Sequence, residues 1–426
     1  MSKEVIAIEG GHLLNGTVRI SGAKNATVAL IPSIVLAEEP VEISGVPEIS
    51  DVDALADLLR ELNCEVSYSQ GVLKVNPANI QNTPLVSEAV EKLRASYYFM
   101  GALLGRYKDV TIKMPGGCPL GERPIDLHLK GFEALGATID WDEEKNIYHL
   151  YADELIGTQI YLDFASVGAT INIMLTAVRA KGRTIIENAA KEPEIIDVAN
   201  LLNKMGARIR GVGTDTIVID GVDHMYGTIH EVIPDRIEAG TFLIIAAAVG
   251  NKMLIQNIIS QHLDALLSKL REFGVAFEII GDSIVVYGKL QEPRAMRVTT
   301  QVYPGFATDL QQPLTSLLTC GYGRSKITET IYEERFNHCA ELVKMGADII
   351  VDWEDASCVI HGPTQLHGAR VKATDLRCGA ALIIAGLMAE GVTEIENVHH
   401  IDRGYDNIDQ KLNAMGARIT RYLVDD

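Results

Sequence analysis

Two apolar patterns alternate along the chain. In one, a run has no polar face, as in Phe242 to Val249 or Ala380 to Ala389; a helix that is apolar all round has to be buried. In the other, charged positions recur on one helical face, as in Asp51 to Leu62, which predicts a helix lying on the outside. Short alternating segments and turns fill the gaps. Gly157 to Leu162 alternates as a strand, and Ser166-Val167-Gly168-Ala169-Thr170 opens an apolar helix reaching about Ala180. Gly182 interrupts it, Arg183 to Ile186 reads as a strand, and Glu194 to Met205 as an amphipathic helix. A hairpin follows, Arg208 to Gly211 and Thr216 to Ile219, turned by Gly213-Thr214-Asp215.

This order recurs. The outer helix ends on Leu135-Gly136-Ala137, Met205-Gly206-Ala207, Phe273-Gly274-Val275, Met345-Gly346-Ala347 and Met415-Gly416-Ala417, with a degenerate first copy, Leu62-Asn63-Cys64. Successive copies stand about 70 residues apart. In each, Gly or Asn occupies the place where a helix stops through a left-handed residue. Further apolar helices are predicted after Asp309 and Asp375. The unit reads βαβαββ. Solenoid repeats are usually shorter, about 20–45 residues, so six such units predict small globular motifs, three packing their buried helices together with sheets outside.

Composition narrows the function classes. The 426 residues are 47% hydrophobic with a formal net charge of -19. Nucleic acid and anionic lipid both select an excess of Lys and Arg, so neither is an expected partner. Apolar runs are too short to cross a bilayer, and Met1 to Gly16 lacks the basic start and apolar run of a signal peptide. The six cysteines show no CxxC pair and no metal-ligand spacing, so neither metal nor cofactor is expected, and they read as free thiols of a cytosolic protein. Oligomeric state is not legible.

Several segments carry a more specific resemblance: Ser21-Gly22-Ala23-Lys24-Asn25-Ala26, Leu93-Arg94-Ala95-Ser96, Pro115-Gly116-Gly117-Cys118-Pro119-Leu120-Gly121-Glu122-Arg123-Pro124, Ser166 to Thr170, Glu187-Asn188-Ala189-Ala190, Pro234-Asp235-Arg236-Ile237-Glu238, Ala373-Thr374-Asp375-Leu376-Arg377 and His400-Ile401-Asp402-Arg403-Gly404-Tyr405. The chain resembles the enolpyruvyl transferases from about residue 5 to its end, leaving no segment for an extra domain. The resemblance implies an α/β fold, a two-domain inside-out α/β prism built from six βαβαββ units. It implies a discontinuous first domain, 1–23 with 234–426, and a second, 24–233, carrying the Cys118 loop. Crossings near Gly22 and Asp235 would form a hinge. Within the family it resembles the branch that joins phosphoenolpyruvate to UDP-N-acetylglucosamine, in peptidoglycan precursor synthesis.

That chemistry needs an acid to protonate C3 of phosphoenolpyruvate, a base near the attacking sugar hydroxyl, and cations for carboxylate and phosphate. The resemblance implies Cys118 as the acid, a thiol that can also add to phosphoenolpyruvate and be alkylated by fosfomycin. An ordinary thiol, with a pKa of about 8.5, is protonated at neutral pH yet can become a nucleophile. Lys24, Asn25, Arg123 and Arg403 are implied around phosphoenolpyruvate. For UDP-N-acetylglucosamine the resemblance implies Asn25, Arg94, Arg123, Pro124, Ile125, Asp126, Leu127, Ser166, Val167, Gly168, Asp309 and Ile331. Ser166 to Gly168, at a helix start, can offer N–H groups to a pyrophosphate, and an ordinary N-cap is the competing reading of Ser166. Many relatives have a lysine two places before this serine; here Phe164 stands there. Asp309 is the candidate base or orienter, against N-capping as its plain structural role. Asp375 and Arg377 are expected to pair and support.

Three other readings compete. The shikimate 3-phosphate branch shares fold and chemistry but lacks the Cys118 loop. An RNA 3'-phosphate cyclase requires a basic groove, which the charge opposes. A catalytically silent nucleotide-sugar-binding paralogue would bind without turnover.

Overall fold

The phrase ending each outer helix acts through one left-handed residue. In the computed structural model, Gly136, Gly206, Gly274, Gly346 and Gly416 have φ between 98° and 104°, and Asn63 has φ 63°. A Cβ is disfavoured there, so glycine recurs and asparagine substitutes once. The structure describes residues 3–114, 125–288, 292–332 and 334–424.

Each stop feeds a hairpin that builds a small sheet. Gln159–Tyr161 runs parallel to Arg183–Glu187, which pairs antiparallel with Thr216–Asp220, itself paired with Arg208–Arg210. Among the described residues there are five four-stranded sheets and one of three strands. Helices alternate with the strands, as the βαβαββ reading requires. The outer helices Ser50–Glu61 and Pro193–Lys204 keep an exposed face.

The all-apolar helices are buried in two groups. Lys24–Ser33, Tyr98–Tyr107 and Val167–Ala177 pack in one, the middle helix touching both others. Arg236–Val249, Gln311–Leu318 and Leu376–Met388 pack mutually in the other. Residues such as Ile171, Ile173, Met174 and Leu175 are fully buried, each such side chain contributing about 1.5–3 kcal/mol.

The chain divides into two compact units. The terminal unit holds residues 3–21 and 234–424, and the inserted unit holds the described residues from 22 to 233. The amino-terminal strand Lys3–Glu9 lies between Val392–Glu396 and Arg418–Val424, closing the last sheet. Thr228–Glu231 returns to complete the sheet of Val41–Ser44. Where the chain crosses, the N–H of Asp235 donates to the Ser21 carbonyl (2.9 Å), and the N–H of Ala23 to that of Ile233 (2.7 Å).

One helix end differs from the sequence reading. The helix after Ser166 stops at Ala177, because Arg179 and Ala180 donate to carbonyls three residues back and tighten the turn. The first buried helix is α-helical only to Ser33 and continues as a 3-10 turn, Ile34–Leu36. Pro32 inside it has no N–H to donate. Among the described residues no helix is long and apolar enough to cross a membrane, and no cluster of His, Cys, Asp and Glu could hold a metal.

Candidate active site

Three of the predicted residues, Cys118, Arg123 and Pro124, lie outside the described residues. The others fall into two clusters, one in each unit.

In the inserted unit, Lys24 is the first residue of the helix Lys24–Ser33, with Asn25 half-buried beside it. Its Nζ lies 3.1 Å from Oδ2 of Asp51, and the two side chains are only 14% and 6% exposed. A cation held this far from water needs such a partner. Asp51 was read only as the start of an outer helix; nothing local in the sequence marks it.

The same helix packs against the 3-10 turn Arg94–Tyr97. Arg94 lies over the Tyr97 ring, 5.9 Å from its centroid. Tyr97 in turn meets the His128 ring edge-on at 4.8 Å. His128 belongs to the helix Asp126–Ala134, whose start carries the predicted Ile125, Asp126 and Leu127; Ile125 is buried and Asp126 exposed. That helix packs against Val167–Ala177. At their contact, a Cβ added to Gly168 would lie 2.7 Å from Oη of Tyr97 and 2.9 Å from Cε1 of His128. Glycine is needed for this approach. Arg94, the Asp126 helix and Ser166 to Gly168 therefore converge.

Ser166 caps its helix: its Oγ accepts from the N–H of Ala169 at 3.2 Å. The N–H groups of Val167 and Gly168 take no hydrogen bond among the described residues. Phe164, at the place of the missing lysine, is 47% exposed. Next to it, Asp163 pairs with Lys130 at 2.7 Å.

The terminal unit holds the charged cluster. Asp309 lies in the 3-10 turn Thr308–Leu310, and no side chain caps the helix Gln311–Leu318 that follows. Its carboxylate instead meets two buried guanidiniums, Nη2 of Arg335 at 2.9 Å on Oδ1 and Nη2 of Arg377 at 3.1 Å on Oδ2. Burial opposes the charge on Arg377, but Asp309, Tyr405 and Asp235 outweigh it and raise its pKa. Arg335 also donates from Nη1 to Oγ1 of Thr308 at 2.9 Å, and that hydroxyl donates to Oε2 of Glu329 at 2.9 Å. Glu329, 3% exposed, further accepts from Oγ1 of Thr300 and from the N–H of Ile331. Ile331 thus sits one contact from the Asp309 turn. Such an arrangement can hold a hydroxyl or a carboxylate in a fixed orientation.

Asp375 and Arg377 do not pair as expected. Asp375 caps the helix Leu376–Met388, Oδ1 accepting from the N–H groups of Arg377 and Cys378, while the Arg377 guanidinium turns to Asp309. The rule that decides this is local: a capping carboxylate finds donors within three residues of itself. Arg403 follows the short helix His399–Asp402 and is half-buried. Sequence reasoning missed Arg335 and Glu329. The stretch Ile327 to Phe336 is itself mostly polar, so nothing local marks them.

Residues 8–412 match the family model of EPSP synthase (3-phosphoshikimate 1-carboxyvinyltransferase). The chain is 58% identical to UDP-N-acetylglucosamine 1-carboxyvinyltransferase 2 of Bacillus cereus, over 98% of this chain and 96% of that protein. It is 55% identical to the protein of the same name from Bacillus subtilis, over 99% and 98%. Among solved structures, the enolpyruvyl transferase NikO from Streptomyces tendae superposes with a TM-score of 0.91 at 25% identity, covering both chains completely. EPSP synthase from Acinetobacter baumannii gives a TM-score of 0.74 at 18% identity, over 98% of this chain and 100% of that one, a likeness of fold alone. With the fold, the nearly complete family match and these relatives all agreeing, the chain belongs to the EPSP synthase family, the transferases that move an enolpyruvyl (1-carboxyvinyl) group.

Proposed function

We propose that the protein transfers the enolpyruvyl group of phosphoenolpyruvate to the 3'-hydroxyl of UDP-N-acetylglucosamine, releasing phosphate. The observation that carries this reading is identity of 58% to a UDP-N-acetylglucosamine 1-carboxyvinyltransferase over almost the whole of both chains. The product would enter peptidoglycan precursor synthesis, and the proposed compartment is the cytosol.

The chemistry divides among the residues as follows. Cys118 protonates C3 of phosphoenolpyruvate, leaving C2 electrophilic. The sugar hydroxyl adds to C2 and passes its proton to the Asp309 carboxylate. Return of a C3 proton to the Cys118 thiolate and departure of phosphate restore the double bond. Lys24, Arg123 and Arg403 balance the phosphate and carboxylate charges, and Asn25 assists them. Arg94, Arg123 to Leu127, Ser166 to Gly168, Asp309 and Ile331 hold the nucleotide sugar. Asp309 is assigned as base and orienter of the attacking hydroxyl. Flanked by two guanidiniums, its carboxylate is held in one orientation toward the hydroxyl. Asp375 supports it by fixing the helix that presents Arg377.

The deciding assay is phosphate release from phosphoenolpyruvate. It should depend on UDP-N-acetylglucosamine; dependence on shikimate 3-phosphate instead would sink the reading. Cys118→Ser should abolish turnover and fosfomycin alkylation while leaving sugar-nucleotide binding within about twofold, because a hydroxyl is a far weaker acid than a thiol. Normal turnover in that variant would remove Cys118 from the mechanism. Cys118→Asp should keep activity with its optimum moved to lower pH, since a carboxyl is protonated only there.

A further inference from the structure

One buried side chain at the helix start of the inserted unit has its protonation fixed by its neighbours. Asn172 accepts the N–H of Gly101 on Oδ1 at 3.0 Å, which sets the direction of its amide. Its Nδ2 must then donate, and it does so twice, to the carbonyl of Tyr97 and to Nδ1 of His128, each at 2.9 Å. Nδ1 is the acceptor of that bond, so the ring proton belongs on Nε2. His128 is 5% exposed. Burial, and secondarily the charge of Arg94, lowers its pKa to about 3, so the ring stays neutral.

The Nε2–H has no partner among the described residues, and it faces the start of the helix Val167–Ala177. It lies 3.1 Å from the position a Cβ on Gly168 would take. The unbonded N–H groups of Val167 and Gly168 begin the same helix. A neutral donor with a fixed tautomer, beside two helix N–H groups and within the electrostatic reach of Arg94, suits a phosphate oxygen.

We propose that His128 donates from Nε2 to the pyrophosphate of the nucleotide sugar, with Asn172 as the residue that holds it in the donating tautomer. This rests on the assignment of UDP-N-acetylglucosamine as substrate. It also provides a polar contact where Phe164 replaces a lysine.

The test compares UDP, UDP-N-acetylglucosamine and uridine on the full chain. His128→Asn removes the reach of Nε2, whereas His128→Gln returns an amide N–H to nearly the same place. His128→Asn should weaken UDP and UDP-N-acetylglucosamine by about tenfold to a hundredfold, the range for a hydrogen bond to a charged group, and uridine by under about twofold. KM for UDP-N-acetylglucosamine should rise with kcat nearly unchanged, and His128→Gln should recover most of the loss. Equal weakening of uridine and UDP, or failure of His128→Gln to recover, would assign His128 a merely structural role and overturn the proposal. Unaltered UDP binding in His128→Asn would overturn it too. Should His128→Asn not fold, His128→Phe takes its place, a loss confined to UDP and UDP-N-acetylglucosamine supporting donation and an unchanged or uniform effect on the three ligands overturning it. If the unmodified protein binds UDP but not UDP-N-acetylglucosamine, the substrate assignment fails while the pyrophosphate contact stands.

Discussion

Four repeats begin their buried helix with a short polar residue at the corresponding place, and they use it in two ways. Ser166 in the inserted unit and Asp235 and Asp375 in the terminal unit each cap the helix that follows. Asp309 does not. A 3-10 turn, Thr308–Leu310, carries it out of capping register, and its carboxylate goes to Arg335 and Arg377. A cap is satisfied within its own turn. A carboxylate spared that duty is available for chemistry, and the residue type alone does not say which case applies. The two units differ in the same sense. The start of Val167–Ala177 is lined by the cap of Ser166 and neutral N–H groups, and the Asp309 turn by charges.

The largest expected effect breaks this contrast directly. Asp309→Asn should lower kcat by about two to four orders of magnitude. It should also destabilise the protein by about 3–5 kcal/mol, because two buried guanidiniums lose their shared counter-charge. Asp375→Asn should cost under about 1 kcal/mol, since asparagine caps nearly as well as aspartate. Denaturant titration and steady-state rates on both variants check the pair. Similar losses from the two would show that Asp309 is another cap in function, whatever its geometry.

A smaller effect sharpens the comparison through pH. His128 in the inserted unit and His338 in the terminal unit are both buried, and burial lowers each to a pKa of about 3. For His338, Asp375 opposes that shift and Arg335 reinforces it. Between the unfolded value of about 6.5 and the folded value, the unfolded chain takes up protons that the folded chain refuses. Stability is therefore full above pH 6.5 and is lost as pH falls. At pH 4.5 each ring should account for about 2–3 kcal/mol. Replacing either by a non-titrating side chain, His338→Phe or His128→Gln, should flatten the fall in melting temperature between pH 7 and 4.5. An unchanged slope would place protons on these rings in the fold.

What was legible in the sequence follows from how far each interaction reaches. The left-handed stops, the buried and outer helices and the hairpins depend on neighbours a few residues away, and the repeat displays each of them several times. Capping by Ser166 is local in the same way and was a stated alternative. The site networks are not local. His128 reaches Asn172 across 44 residues, Asn172 reaches Tyr97 across 75, and Arg377 reaches Asp309 across 68. Only the fold brings those partners together, so Asp51, His128, Glu329 and Arg335 carried no mark in the sequence. For Lys24, Arg94 and Asp309, the resemblance to the enolpyruvyl transferases supplied what spacing could not. The expected pairing of Asp375 with Arg377 gives way because the Asp375 carboxylate is committed to a helix end and the Arg377 guanidinium to Asp309.

The smallest effects separate backbone strain from packing at the repeated helix stop. At Gly416 the nearest atom to an added Cβ is the carbonyl oxygen of Leu13, 3.8 Å away, so there is room. Its φ of 102° is the obstacle. Gly416→Ala should therefore cost about 1–2 kcal/mol from conformation alone. At Gly206, φ is 103° and the added Cβ would also press on Cδ2 of Tyr226 at 3.0 Å. Tyr226 is 55% exposed and can swing aside, so Gly206→Ala should exceed Gly416→Ala by only a few tenths of a kcal/mol. Asn63→Gly, at the one stop that lacks glycine, should gain a few tenths, because asparagine tolerates the left-handed region without being free in it. Chemical denaturation of the three variants gives the ranking. If Gly416→Ala proved neutral, the left-handed residue would be a consequence of the fold, and the recurring glycine would lose its physical explanation.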